Sequence, residues 1–184
     1  MNSSEALKKL LDGNRQYVET GLPCGDVSPE KRLKLASYGQ EPYAIIISCS
    51  DSRVIPEVIF NAGLGDLFVI RVAGNVIDSH QLGSIEYAAE HLGAMLIVVL
   101  GHTGCGAVDA AINHKPEGYI KFITDEIKTA IGDEKDDYRA CWLNVRHSVD
   151  LIEQSFEIHR EEEHGLRVIG ALYRLADGKV EFES

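Results

Sequence analysis

A chain of 184 residues, 45% apolar and 26% charged, is long enough to bury a core and has the composition of one globular domain. Its formal net charge of −11 argues against nucleic acid or an anionic membrane surface as partner. No apolar run approaches the ~20 residues of a membrane span, and Met1 to Leu11 is charged and amphipathic, without the apolar core of a signal peptide. Four cysteines without regular spacing then read as thiols or metal ligands rather than disulfides, and a cytoplasmic protein is expected.

Ser4 to Leu11 opens an amphipathic helix that can continue through Tyr17 and Val18, and its apolar positions need a surface, a second subunit being one candidate. After a turn-rich stretch from Gly21, Ser28-Pro29-Glu30 begins a short helix with Ser28 as cap and Pro29 at its first position. Tyr43 to Ser48 is the first strand and Leu67 to Val72 the second, joined by a short helical or irregular connection over Val54 to Asn61. Gly74 and Asn75 end the second strand. A helix is expected over Gly83 to Leu92, and a third strand over Ala94 to Leu100. Helices follow from Cys105 or Gly106 to about Asn113 and from Tyr119 to Ile131, then a charged loop, then one long helix from Arg139 to Glu163 stopped by Gly165. Leu166 to Tyr173 is the fourth strand, and a turn at Ala176 to Lys179 leads to a short fifth, Val180 to Phe182. Alternating strands and helices predict an α/β fold with a central, mostly parallel sheet flanked by helices.

Two strand ends carry the chemistry. The buried run Leu96 to Leu100 stops at Gly101 and is followed at once by His102 and Cys105, while Ile45-Ile46-Ile47-Ser48 ends in Cys49, with Asp51 and Arg53 close behind. A strand order of 2-1-3-4, with the fifth at the edge, sets the two ends side by side at the crevice where open α/β sheets place their sites. Cys49, His102 and Cys105 are then three ligands, one short of a closed tetrahedral zinc shell, as a catalytic zinc requires.

Cys49-Ser50-Asp51-Ser52-Arg53 followed by His102-x2-Cys105-Gly106 resembles the β-class carbonic anhydrases. Gly39-Gln40-x-Pro42, the run from Gly65 to Arg71, Ala73-Gly74-Asn75 and Ser84 to Ala88 resemble the family pattern in its order, while Val72 stands where many members carry asparagine. The resemblance implies one zinc ion per subunit, hydration of carbon dioxide to bicarbonate and a proton by a zinc-activated hydroxide, and a homodimer or larger assembly. Residues 1–38 would form a helical arm on a partner subunit, with the whole chain as one domain. Asp51 would accept a hydrogen bond from the nucleophile, and Arg53 would keep Asp51 ionised and off the metal. Gln40, Phe68, Val72 and Tyr87 would shape the substrate pocket, the glutamine and the aromatics coming partly from the neighbouring subunit.

Competing readings use the same residues. Hydrolysis of carbonyl sulfide or carbon disulfide would employ the same zinc ligands, and a zinc-stabilised binding module would add a fourth protein ligand. Cys24 and Cys141 read as packing thiols, His80 as a polar loop residue, and His91, His114, His147, His159 and His164 as solvated. Arg71 is either a structural ion-pair former or an anion contact. Some family members bind bicarbonate through a tryptophan three residues before the first zinc cysteine; here that position is Ile46, which offers no N–H to an anion. An open site with Asp51 paired to Arg53 is therefore expected.

Overall fold

In the computed structural model, which describes residues 1–183, a helical start leads into alternating strands and helices. Helix α1 (Ser3–Thr20) opens with a reciprocal cap: the Asn2 side chain accepts from the Glu5 N–H, and the Glu5 carboxylate accepts from the Asn2 N–H. Its buried stripe is used within the chain, where Ala6 and Leu10 pack with Ile59, Phe60, Leu96 and Val98. Helix α2 (Pro29–Tyr38) starts where the sequence places it, with Ser28 accepting from the Lys31 N–H, and none of its residues is buried.

Strands β1 (Ala44–Ser48), β2 (Leu67–Arg71), β3 (Leu96–His102), β4 (Arg167–Tyr173) and β5 (Val180–Phe182) form one sheet in the order β2-β1-β3-β4-β5. The first four are parallel and β5 returns antiparallel to β4, as expected. Side chains alternate between two cores. Ile46, Val98, Leu100 and Ala171 face α1 and the short α3 (Pro56–Ile59). Ile45, Ile47, Ile97 and Val99 face the helices on the other side, α4 (Ser79–Leu92), α7 (Asp137–Glu153) and α8 (Phe156–Glu162). A third core, continuous with the carboxyl edge of the sheet, lies under α5 (Gly106–Asn113) and α6 (Ile120–Ile131).

Besides shifts of one or two residues at several element ends, three boundaries differ from the sequence reading. Helix α4 begins at Ser79, because Asp78 and Gln81 form a reciprocal cap; His80 therefore sits in its first turn rather than in a loop. Strand β3 runs on to His102, so that a presumed ligand belongs to the strand itself. The long helix expected from Arg139 to Glu163 is two helices, broken at Ser155, which turns extended, caps α8 by accepting from the Ile158 N–H, and donates to Glu86 of α4.

Asn14 ties α1 to the far end of the chain. Its amide donates to the carbonyls of Ile59 (3.2 Å) and Gly178 (2.9 Å), and its oxygen accepts from the Val180 N–H (3.0 Å). Asn14→Ala leaves these groups unpaired beneath the helix and should destabilise the fold by roughly 2–4 kcal/mol, measured by chemical denaturation.

Candidate metal centre

Strands β1 and β3 pair in parallel with Ser48 opposite Leu100, so the residues that follow, Cys49 on one strand and Gly101-His102 on the other, emerge together at the carboxyl edge. Gly104, at φ +64°, turns the chain after His102 and sets Cys105 at the cap of α5. The ligand atoms of Cys49, His102 and Cys105 all lie within 4.8 Å of one another, and all three residues are buried. The two sulfurs are 4.0 Å apart, close to the about 3.8 Å that two zinc–sulfur bonds of 2.3 Å span across a tetrahedron.

The imidazole supplies an independent test of whether a metal fits. His102 Nδ1 lies 3.0 Å from the Thr103 carbonyl, a contact only an N–H can make, which leaves the lone pair on Nε2. That nitrogen is buried and has no hydrogen-bond partner among the described residues. A buried acceptor of this kind costs stability unless something meets it. Two sulfur donors and an imidazole lone pair converging on one point are met by a borderline-soft divalent cation such as zinc.

The electrostatics favour anionic sulfur at Cys49. Its thiol is held well below the usual range, first by the hydrogen bond from the Cys105 thiol and then by the backbone N–H groups of Gly74 (3.2 Å) and Asp51 (3.4 Å). Cys105 is pushed up correspondingly, by its bond to the Cys49 sulfur and by burial. Asp51 is held below the usual carboxylate range, chiefly by Arg53. The guanidinium grips both carboxylate oxygens, Nε to Oδ1 at 2.9 Å and Nη2 to Oδ2 at 2.7 Å, and the Arg53 N–H adds a third bond at 2.9 Å. Asp51 Oδ2 stands 3.9 Å from His102 Nε2, beside the presumed ligands but engaged by Arg53.

Of the two readings of Arg71, the structure gives a structural role without an acidic partner. Its guanidinium donates to the backbone carbonyls of Cys49 (3.1 Å) and Asp51 (2.7 Å) and so fixes the path of the ligand-bearing loop. Ile46 is fully buried in β1. Among the pocket candidates Val72 packs in the cluster that holds Cys49 and Cys105. Phe68 does not join them: it pairs with Ile45, three residues before the strand end, about 10 Å along β2. Tyr87 on α4 touches Phe68, with ring centroids 6.3 Å apart, and is exposed. Gln40 is exposed and precedes β1, at the end opposite Cys49.

Cys24 is exposed rather than a packing thiol, whereas Cys141 is buried against the site, where burial pushes its thiol up to about 12. His147 is not solvated but half-buried, 2.8 Å from the Glu126 carboxylate. The sequence reading missed the N–H of Gly74 as a donor to Cys49, and it missed the polar residues of α7 that support the site. Gly74 sits at φ +70°, and a side chain there would strike Ile127 and Ala107, which is the physical signal in the Ala73-Gly74-Asn75 stretch.

A buried sulfur–imidazole cluster at the carboxyl edge of a parallel sheet, with an ionised carboxylate held just off it by an arginine, defines a metal-dependent α/β enzyme. Known proteins narrow that class. The family model described as carbonic anhydrase matches residues 44–180. The chain is 40% identical to carbonic anhydrase 2 of Mycobacterium tuberculosis, over 97% of this chain and 91% of that protein. It is 37% identical to a carbonic anhydrase of Mycolicibacterium smegmatis, over 100% of this chain and 94% of that protein. Among solved structures it superimposes on a tetrameric β-carbonic anhydrase of Sordaria macrospora with a TM-score of 0.78 at 29% identity, covering 84% of this chain and 86% of that one. A β-carbonic anhydrase of Aspergillus fumigatus gives 0.79 at 28% identity, over 98% and 90%. The chain belongs to the carbonic anhydrase family, in its β class.

Three candidate ligands leave no redundancy, so Cys49→Ala, His102→Ala and Cys105→Ala should each lose the metal on dialysis, whereas Cys24→Ser and Cys141→Ser keep it. Metal content by atomic emission checks this, and full occupancy in any of the first three would refute the assignment.

Proposed function

We propose that this chain catalyses the reversible hydration of carbon dioxide to bicarbonate and a proton, with one zinc ion per chain held by Cys49, His102 and Cys105. The observation that carries the proposal is the unpartnered Nε2 of buried His102, aimed at the space it shares with two cysteine sulfurs in a carbonic anhydrase fold. Zinc, when bound, supplies a Lewis acid that makes hydroxide available near neutral pH.

The chain's own residues do the rest. Asp51, kept ionised by Arg53, is a hydrogen-bond acceptor beside the ligands and orients the attacking oxygen by holding its remaining hydrogen. Arg53 occupies both oxygens of Asp51 and keeps the carboxylate from competing for the cation. Val72 lends the site an apolar wall that suits an uncharged substrate. The proton released passes to solvent or buffer.

An oligomer belongs to the same reading. Gln40, Phe68 and Tyr87 lie away from the metal ligands of their own chain, so a pocket built from them draws on a neighbour's copies. The exposed Leu22, Val27, Leu33 and Tyr38 give residues 1–38 an apolar surface for a partner subunit, a dimer or a larger assembly. No helix among the described residues is long and apolar enough to cross a membrane, and the four cysteines are free, as suits a reducing cytoplasm.

Stopped-flow hydration by protein of measured zinc content tests the proposal: activity should scale with zinc, and a fully metalled protein without hydration activity would overturn it. Asp51→Asn should retain zinc and lower kcat roughly 10²-fold or more, since an amide is a poor substitute for the carboxylate acceptor. Because Ile46 is buried and Arg71 is committed to backbone carbonyls, added bicarbonate should not inhibit cooperatively between pH ~6.5 and ~8.5, a span around the ~7 of a zinc-bound water. Sigmoidal inhibition in that range would count against the resting pairing of Asp51 with Arg53.

A further inference from the structure

Helix α7 presents an apolar stripe to the core, Ala140, Val145, Val149 and Ile152, and interrupts it with buried polar groups. Asp137, Asn144 and Ser148, with Cys141 between them, follow spacings that set all four on one helical face. Asn144 and Ser148 are each only 1% exposed. Buried polar side chains weaken a core unless they are bonded; the Asn144 amide and the Ser148 hydroxyl bond one turn, and Asp137, exposed at the start of the helix, bonds another.

The first turn joins His102 to Cys105. The Asp137 carboxylate accepts from the Gly104 N–H at 2.8 Å, and the Cys141 thiol lies 3.9 Å from its other oxygen. The Gly104 carbonyl in turn accepts from Arg53 Nη2 at 3.2 Å, which links the same turn to the partner of Asp51. The second turn, Ala73–Asn75, delivers the Gly74 N–H to Cys49 Sγ. Asn144 donates to the Gly74 carbonyl at 2.7 Å, and Ser148 donates to the Asn75 carbonyl at 3.1 Å. Both Gly74 and Asn75 have positive φ, a conformation uncommon outside glycine although asparagine tolerates it better than most, and the bonds from α7 help to hold it.

We infer that Asp137, Asn144 and Ser148 are positioning residues of the metal centre: from one face of α7 they hold the two turns that aim Cys49, His102 and Cys105, and thereby set metal affinity. The inference rests on the reading of those three residues as the metal site. Outer-shell partners of this kind change metal affinity about 10- to 100-fold when removed.

The test compares folded variants by zinc competition with a chromogenic chelator and by the absorption spectrum of the cobalt(II)-loaded protein, in which cobalt–thiolate bands report ligand geometry. Asp137→Ala and Asn144→Ala should bind zinc about 10- to 100-fold more weakly and shift the cobalt bands. Asp137→Asn should recover most of the affinity, since its oxygen still accepts from Gly104. Ile152→Val, a core truncation on the same helix away from both turns, should lower the melting temperature and leave affinity and spectrum unchanged. If Asn144→Ala does not fold, Ser148→Ala reports on the same turn through a single lost bond. Wild-type affinity and spectrum in folded Asp137→Ala and Ser148→Ala would overturn the inference, as would an equal loss of affinity in Ile152→Val. Wild-type protein assayed alongside separates the two readings: zinc bound without hydration sinks the proposed activity alone, and unchanged affinity in the variants sinks the inference alone.

Discussion

Helix α7 lies on the sheet where two neighbouring strands both carry glycine, and much of the molecule depends on that close approach. A side chain at Gly101 of β3 would come within 2.4 Å of Val145, and one at Gly170 of β4 within 2.8 Å of the same residue. The pairing sets Val99 opposite Gly170 and Gly101 opposite Leu172, so the two glycines form a diagonal notch across β3 and β4. Val145 fills it. A sheet apolar on both faces has little in its pattern to choose a register, because a slip exchanges one greasy residue for another. Shape does the choosing, since only one register offers the notch. With Val145 seated, the turns of α7 before and after it are fixed in depth and rotation, and the polar groups they carry meet the two turns beside the metal site.

The same edge of the sheet concentrates negative charge: up to two thiolates and the Asp51 carboxylate, in a chain of net charge −11. Burial alone would neutralise such groups. The structure counters with donors rather than with many cations. Backbone N–H groups at Gly74 and Asp51 serve Cys49, and a single guanidinium serves Asp51. Of the two sulfurs, Cys49 is the one held low and Cys105 the one pushed up. A divalent cation held by both sulfurs would displace any thiol proton left between them, which would couple affinity to pH and let metal uptake stabilise the fold.

How much of this could be read from the sequence depended on how local the cause is. Continuous apolar runs ending in Cys49 and Gly101 exposed the parallel strands and the side chains delivered at their ends, because a buried strand that ends in polar groups leaves a one-dimensional signature; the strand order followed only from requiring those two ends to meet. Boundaries decided by side-chain chemistry were less visible. The Asp78–Gln81 cap extends α4 by a turn, and Ser155 breaks an otherwise helical run by capping a new helix; both are short-range bonds that periodicity does not register. The support from α7 was hidden for another reason. Asn144 and Ser148 keep helical spacing, yet polar residues at helical spacing most often mark a solvated face, and only the tertiary contact reveals that these two are buried; Asp137, exposed in the first turn, falls in what reads as the charged loop before the helix.

What remains outside one chain follows from strand geometry. Side chains reach the candidate metal site from the carboxyl ends of β1 and β3, whereas Phe68 lies near the start of β2, Tyr87 on the outer surface of α4, and Gln40 before the first residue of β1. No rotamer change carries Gln40 across the ~16 Å length of β1. Residues of these types can still line a pocket if a second chain lays its sheet edge and α4 against the first, which would also cover exposed Tyr87 and the apolar residues of the arm. Carbon dioxide carries no charge to steer it, so a site for it gains from walls that exclude water, and a single chain offers few beyond Val72. Assembly would then be a condition for a finished pocket, while the three candidate metal ligands come together within each chain.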